Sequence, residues 1–209
     1  MNITFDTIPD QQYPHKILRV KLNTGVPQSI MVSELEKEDW KPYGMETKID
    51  HNLWKGYRYK VHQPKSAVLQ EISRFIHADE TRKQVIEALY AQKSEFHSMW
   101  GMFPDVMLKN TDMHAEFTKD LPGFENGIHC DYRLLVATGV VYFTVEDNPD
   151  LSSEFYDNPY KDNPYRITTE YSTGWVHAND WNTWHDGWNR TNQVRYSMLL
   201  GLTLRLVDF

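Results

Sequence analysis

The sequence has little cysteine, no long hydrophobic run and no cluster of positive charge. Its single cysteine, Cys130, excludes an internal disulfide and fits a reducing compartment. No apolar run approaches the roughly 18 residues that a membrane-spanning helix needs. The polar segment 1–10 also lacks the apolar stretch of a signal peptide. We therefore expect a soluble, cytoplasmic protein with no membrane partner.

Negative charge exceeds positive charge in this chain. The 22 Lys and Arg residues against 29 Asp and Glu give a net charge of −7, and no Lys/Arg run is longer than two. Proteins that bind phosphate backbones need a local excess of positive charge. The composition therefore favours a small-molecule or peptide substrate over a nucleic-acid partner. No feature of the sequence indicates an oligomeric state.

Length and composition predict one globular domain over residues 1–209. A chain of 209 residues is long enough to bury a sizeable core. Charged residues at 24% and aromatic residues at 13% are typical of a globular protein. Within this domain we expect strands and supporting helices over 1–100 and a jelly-roll core over 101–209.

Periodicity predicts helices in the middle of the chain and strands after them. Two amphipathic helices are expected after Ser66 and Asp79, which are candidate N-caps. Residues 147–165 carry three Asp-Asn-Pro copies and predict a loop, either a tyrosine lid or a solvated insertion. This order predicts a mainly β (α+β) fold, a β-sandwich or jelly roll with helices outside one sheet. Strands are predicted at 16–22, 57–61, 114–118, 134–145, 166–171, 175–179 and 194–206.

The segment 127–131 carries the first chemical signal. In an extended chain His129 and Asp131 project to one side, while Cys130 projects to the other. Two histidines and one carboxylate form the facial triad that holds ferrous iron with open coordination positions. The third ligand is expected to be His185, within the aromatic segment 181–188, in preference to His177.

The last strand carries the second signal. Its residues Arg195 and Ser197 share a face and are expected to project into the interior, whereas the opposite face should meet the helices. A buried arginine is costly unless it is paired with an anion. Its partner is either a carboxylate from another strand or the carboxylate of a ligand. The apolar opposite face comprises Tyr196, Met198, Leu200, Leu202, Leu204 and Leu206.

These motifs, in this order and spacing, resemble the iron(II)/2-oxoglutarate-dependent oxygenases, in particular their prolyl-hydroxylase-like branch. The resemblance covers about residues 112–204 and is carried by Pro122-Gly123, His129-Cys130-Asp131, the strand segment 140–143, Gly174-Trp175-Val176, Trp184-His185 and Arg195-Tyr196-Ser197. It implies a double-stranded β-helix in which His129, Asp131 and His185 are the Fe(II) ligands.

The resemblance also implies a cosubstrate site. Arg195 and Ser197 would bind the distal carboxylate of 2-oxoglutarate, and Tyr142 is either a hydrogen-bond donor to this cosubstrate or a core tyrosine. The implied activity is that of a dioxygenase that uses O2 to couple oxidative decarboxylation of 2-oxoglutarate to hydroxylation of a substrate. Two alternatives remain open: a metal-dependent cupin-like enzyme that does not use 2-oxoglutarate, and a non-catalytic jelly-roll module that binds a ligand.

Overall fold

The computed structural model describes ten parts of the chain: residues 1–8, 17–43, 54–91, 103–131, 135–143, 153–158, 160, 164–167, 170–179 and 183–205. Within these ranges, no helix has the length and apolar character that a membrane crossing requires.

The chain alternates short strands with helices in its first half and is almost entirely strand in its second half. In order, the elements are β1 (Asn2–Thr7), β2 (Ile17–Asn23), α1 (Gln28–Glu36), β3 (Lys41–Pro42), β4 (Trp54–Lys55), β5 (Arg58–Val61), α2 (Ala67–His77), α3 (Asp79–Ala91), α4 (Pro104–Asn110), β6 (Thr111–Asp120), β7 (Glu125–His129), β8 (Leu135–Tyr142), β9 (Ser153–Tyr156), β10 (Tyr165–Ile167), β11 (Thr173–Ala178), β12 (Trp184–Trp188) and β13 (Arg195–Leu204).

The strands form two antiparallel sheets that face each other. The major sheet has eight strands in the order β1-β2-β11-β8-β13-β6-β5-β3, and the minor sheet has five in the order β10-β9-β12-β7-β4. From β6 to β13 the chain alternates between the two sheets, apart from the β9–β10 hairpin, and so passes back and forth between them as in a jelly roll. The predicted fold, a mainly β double-stranded β-helix with helices outside one sheet, is confirmed.

The helices cover the outer face of the major sheet. Their apolar stripes and the even-numbered side of β13 belong to one buried cluster, which confirms the predicted orientation of this strand. The opposite face of β13 points between the sheets, where Leu199 packs against a second, smaller cluster. Helix and strand residues of the first cluster include Leu69, Ile72, Ile76, Val85, Ile86, Leu89, Tyr196, Met198, Leu200 and Leu202.

Of the two predicted helix caps, Ser66 has the predicted position without the cap hydrogen bond, and Asp79 is wrong. Ser66 occupies the N-cap position of α2, but its hydroxyl donates to Glu34 Oε2 at 2.7 Å and makes no cap hydrogen bond. Asp79 is already the first residue of α3, and its carboxylate accepts a hydrogen bond from Arg82 Nη2 at 3.0 Å. In both cases the side chain is bonded to another side chain, Glu34 for Ser66 and Arg82 for Asp79.

The predicted loop over 147–165 is wrong at its centre. Residues 153–156 form β9, which pairs with both β10 and β12 in the minor sheet. The Asp-Asn-Pro repeats dominated the sequence pattern and concealed this four-residue strand. Tyr160 is exposed, and most of the remaining loop, with its lid or insertion alternatives, lies outside the described residues.

Candidate active site

The structure brings His129, Asp131 and His185 together, as the sequence predicts. Their potential ligand atoms all lie within 4.8 Å of one another. Asp131 Oδ1 is 3.8 Å from His129 Nε2, and Asp131 Oδ2 is 3.5 Å from His185 Nε2. Three ligand atoms thus converge on one point between the sheets.

Strand pairing explains this convergence. His129 ends β7, and His185 lies directly opposite it on the antiparallel strand β12. The two imidazole centroids are therefore only 4.5 Å apart. Asp131 follows two residues after His129, so the turn of the chain beyond β7 returns its carboxylate to the same side.

The histidine rings are oriented by backbone carbonyls. His129 Nδ1 lies 2.7 Å from the Gly127 oxygen, and His185 Nδ1 lies 3.0 Å from the Thr183 oxygen. A carbonyl only accepts hydrogen bonds, so each Nδ1 carries the proton and each Nε2 presents a lone pair. The hydrogen bond at Nδ1 fixes the tautomer and the ring orientation that a metal-binding histidine requires.

The electrostatics of the cluster also fit a cation. Burial, reinforced by the neighbouring His185, lowers the pKa of His129 to about 4, so its ring is neutral near pH 7. Although burial raises the pKa of Asp131, the nearby histidines and a hydrogen bond from Thr138 outweigh it and hold the pKa below its ordinary value. Its Oδ2 atom is buried without a hydrogen-bond partner among the described residues. Two imidazoles and one carboxylate form a donor set suited to Fe(II).

A short chain of hydrogen bonds holds the carboxylate of Asp131. Thr138 on β8 bonds its carboxylate, and Asn179 Nδ2 donates to Thr138 Oγ1 at 2.7 Å. Asn179 also donates to the Leu135 oxygen at 3.2 Å. Sequence analysis missed both residues, because their relation to Asp131 depends on the pairing of β8 with β11.

We expect Thr138→Val to weaken Fe(II) binding by roughly 10-fold or more, because residues that hold a metal ligand contribute a factor of that order. Anaerobic calorimetry with Fe(II) measures this change. Thr203→Val is the matched control, because Thr203 is bonded to His114 at 2.6 Å on the same sheet and does not contact Asp131. An unchanged affinity in Thr138→Val would contradict a supporting role.

His177 is closer to the centre than the sequence suggests. Its ring centroid is 5.2 Å from that of His185, and its side chain is buried. It nevertheless stands outside the group of three side chains whose ligand atoms converge. Its Nδ1 instead lies 2.9 Å from the Ala178 oxygen. The expected preference for His185 agrees with this geometry.

Arg195 and Ser197 both lie in the interior, but the partner of Arg195 is a protein carboxylate. Arg195 Nε and Nη2 donate to Asp120 Oδ2 at 2.9 and 2.6 Å, and Nη1 donates to the Trp188 oxygen at 2.6 Å. Of the two partners that the sequence left open, the structure thus shows a carboxylate from a neighbouring strand. Ser197 Oγ is 2.7 Å from Thr118 Oγ1.

Tyr142 lies between the arginine and the histidines. The Arg195 guanidinium carbon is 5.8 Å from the centre of the Tyr142 ring. Trp175 Nε1 donates to the Tyr142 hydroxyl at 3.2 Å, and the Trp175 ring is 5.7 Å from that of His185. The hydroxyl also bonds Ser153 Oγ at 2.7 Å. An unbroken set of contacts therefore joins Arg195, at the arginine end of the interior, to His185, at its histidine end.

Other candidates from the sequence fall beside the site or outside the described ranges. Cys130 is half-buried. Trp188 is buried, with the Arg190 guanidinium carbon 4.0 Å from its ring centre. Trp181 lies outside the described residues.

Solved structures with the same architecture provide the comparison. A prolyl-4-hydroxylase from Pseudomonas putida matches with a TM-score of 0.59, over 92% of this chain and 95% of its own, at 11% sequence identity. HygX from Streptomyces hygroscopicus, with nickel and 2-oxoglutarate bound, matches with a TM-score of 0.56 over 91% and 83% of the two chains at 10% identity. The fold is that of the 2-oxoglutarate/iron(II) oxygenases.

The dioxygenase for auxin oxidation 1 from Arabidopsis thaliana, solved with 2-oxoglutarate, shares this oxygenase fold with the chain. Its TM-score is 0.55, over 92% of this chain and 85% of its own, at 12% identity. No protein-family model and no curated protein sequence matches the chain. The resemblance that the sequence motifs indicate is therefore confirmed for the fold.

Proposed function

We propose that the protein is an iron(II)- and 2-oxoglutarate-dependent oxygenase of the hydroxylase type. The observation that carries this proposal is the convergence of His129, Asp131 and His185 inside an oxygenase fold. We further propose that its substrate is a small molecule or a peptide, because no excess of positive charge favours a nucleic acid.

Each residue of the centre has a defined task in this proposal. His129 and His185 hold the metal through Nε2, and their Nδ1 atoms keep the rings in place. Asp131 supplies the single negative charge, which leaves one positive charge on the iron–ligand unit for an anionic cosubstrate. When bound, iron supplies the activation of O2 that couples loss of CO2 from 2-oxoglutarate to substrate oxidation.

The cosubstrate side of the proposal uses Arg195, Ser197 and Tyr142. Arg195 would attract the distal carboxylate, because a guanidinium bonds carboxylates through parallel N–H donors. Ser197 and Tyr142 carry hydroxyls on neighbouring strands in the same interior and would add hydrogen bonds. The apolar residues Phe155 and Trp175 around His185 exclude water from this space.

A second candidate function is supported by one contact. The Arg195 guanidinium already pairs with Asp120 through two hydrogen bonds. A guanidinium neutralised in this way would suit a metal-dependent, cupin-like enzyme that does not use 2-oxoglutarate.

A thermal-shift screen separates these functions, because a ligand that binds only the native state raises its stability. With Mn(II) in place of Fe(II) to avoid oxidation, 2-oxoglutarate at about 100 times its Kd is expected to raise Tm by roughly 5–10 °C. A shift with metal but none with 2-oxoglutarate would favour the cupin-like enzyme. No shift with either would favour a ligand-binding module without a metal.

A further inference from the structure

A buried row of three charged residues crosses the major sheet at the arginine end of the interior. Arg58 on β5 and Arg195 on β13 both lie directly opposite Asp120 on the intervening strand β6. Their side chains are 9%, 3% and 0% exposed for Arg58, Arg195 and Asp120, respectively. Strand register alone therefore places one carboxylate between two guanidinium groups.

Asp120 bonds both guanidinium groups. Arg58 Nε donates to Oδ1 at 2.5 Å and Arg58 Nη2 donates to Oδ2 at 3.0 Å, in addition to the two hydrogen bonds from Arg195. Although burial raises the pKa of Asp120, the two guanidinium charges outweigh this effect and keep its pKa below the ordinary value. Asp120 is thus ionised at neutral pH, and the row carries two positive charges and one negative charge.

The net charge of +1 comes from Arg58. A pair of Arg195 and Asp120 alone would be neutral and would attract an anion only weakly. In the part of the chain that the structure describes, Asp120 is the single acid paired with either guanidinium. An uncompensated charge in the interior is costly unless an anion accompanies it.

The position of Arg58 is fixed by more than Asp120. Its guanidinium carbon lies 4.3 Å from the centre of the Phe124 ring, so the aromatic face holds the charged plane on one side. Contacts of Arg195 with Tyr142, and of Tyr142 with Trp175, connect the row to the histidine end of the same interior. An anion attracted to the row and a metal ion at the histidines would therefore be separated by these two aromatic side chains at most.

We propose that Arg58, Asp120 and Arg195 form a two-arginine anion site in which Arg58 supplies the charge that retains the distal carboxylate of a 2-oxodicarboxylate. This inference rests on the proposed function, whose cosubstrate is such an acid. Asp120 orients both guanidinium groups and limits the net charge of the site. Arg58 is accordingly a positioning residue that acts through charge, and it determines selectivity for a dicarboxylate.

The test measures binding in anaerobic, Fe(II)-loaded protein by calorimetry. Arg58→Met should raise the Kd of 2-oxoglutarate by roughly 10-fold, the factor expected from one buried charge at a neighbouring position. Arg58→Lys retains the positive charge and should stay close to the wild-type Kd. Asp120→Asn removes the negative charge and should bind 2-oxoglutarate at least as tightly as the wild type.

A second titration uses 2-oxobutyrate, which keeps the 2-oxo acid group but has no distal carboxylate. Its Kd should be the same in the wild type and in Arg58→Met, because the missing carboxylate is the group that Arg58 attracts. Arg82→Met is the matched control. Arg82 is a similarly buried arginine, 8% exposed and paired with Asp79 and Asp112, and its loss should leave both Kd values unchanged.

Each outcome has a defined meaning. Equal weakening of 2-oxoglutarate and 2-oxobutyrate in Arg58→Met would show structural damage and overturn the inference. An unchanged Kd for 2-oxoglutarate in that variant would overturn the inference and leave the proposed function intact. Wild-type protein that bound Fe(II) but no 2-oxoglutarate would overturn the proposed function and this inference with it.

Discussion

Asp131→Ala is expected to abolish the visible charge-transfer band that Fe(II) and 2-oxoglutarate produce together in anaerobic protein. The variant lacks the one charged ligand of the centre, so its Fe(II) affinity should fall by at least roughly 100-fold, as for loss of a charge-assisted bond with a buried partner. Absorption spectroscopy during anaerobic titration measures the band. His185→Ala should abolish it as well.

The same Asp131→Ala variant should differ little in stability from the wild type when metal is absent, because the loss of the Thr138 hydrogen bond is opposed by the removal of a buried, unsatisfied oxygen. One oxygen of the Asp131 carboxylate is buried without a hydrogen-bond partner among the described residues, and such an oxygen costs folding free energy. Thermal unfolding of the metal-free proteins compares the two.

His177→Ala serves as the control for the charge-transfer band, because it removes a neighbouring histidine but should retain the band. A band of wild-type intensity in Asp131→Ala or His185→Ala would show that the assigned ligands are wrong.

Arg195→Ala is expected to separate cosubstrate binding from metal binding. It should raise the Kd of 2-oxoglutarate by roughly 100-fold, because the variant loses the forked donors for the distal carboxylate. Its Fe(II) affinity should change by less than about threefold, since Arg195 lies beyond Tyr142 and Trp175 from the histidines. Titrations with Fe(II) alone and then with 2-oxoglutarate measure the two constants.

Arg195→Ala should also reduce the free energy of unfolding, by about 3 kcal/mol, because breaking a buried ion pair leaves its partner poorly compensated. In this protein Arg58 remains beside Asp120, which keeps the loss near the lower end for such pairs. Equal losses of Fe(II) and 2-oxoglutarate affinity would indicate that Arg195 is structural. Ser197→Ala, which removes one hydroxyl on the same face, should give a much smaller change in both constants.

The predictable part of the site is the part that local chain geometry determines. His129 and Asp131 are two residues apart in an extended segment, so their common direction follows from the period of a strand. The alternation of β13 likewise places Arg195 in the interior and its neighbours against the helices. His185 was the preferred third ligand because of its aromatic surroundings, and its place opposite His129 agrees with that choice.

The remaining part of the site depends on which strands become neighbours. Asp120 and Arg58 meet Arg195 only because β13 and β5 pair with opposite edges of β6 at matching positions. In the sequence, Asp120 is 75 positions from Arg195 and 62 positions from Arg58. No periodicity within one segment indicates such a register. Thr138 and Asn179 were missed for the same reason.

The fold shows the same division between local and long-range determinants. Strands with alternating patterns, such as β6 and β13, were identified from the sequence. The four-residue strand β9 was not, because proline-rich repeats surround it. The β9 strand is stabilised by its pairing with β10 and β12. The sequence of residues 153–156 alone carries no information about these partners.

The histidine end and the arginine end belong to different sheets. His129 and His185 lie on the minor sheet, whereas Arg58, Asp120 and Arg195 lie on the major sheet. A molecule that contacts both ends therefore acts as a non-covalent cross-link between the two layers and restrains their separation. Amide hydrogen exchange in β7 and β12 would then slow when such a molecule is bound, so that the mobility of the two sheets depends on whether the ligand is present.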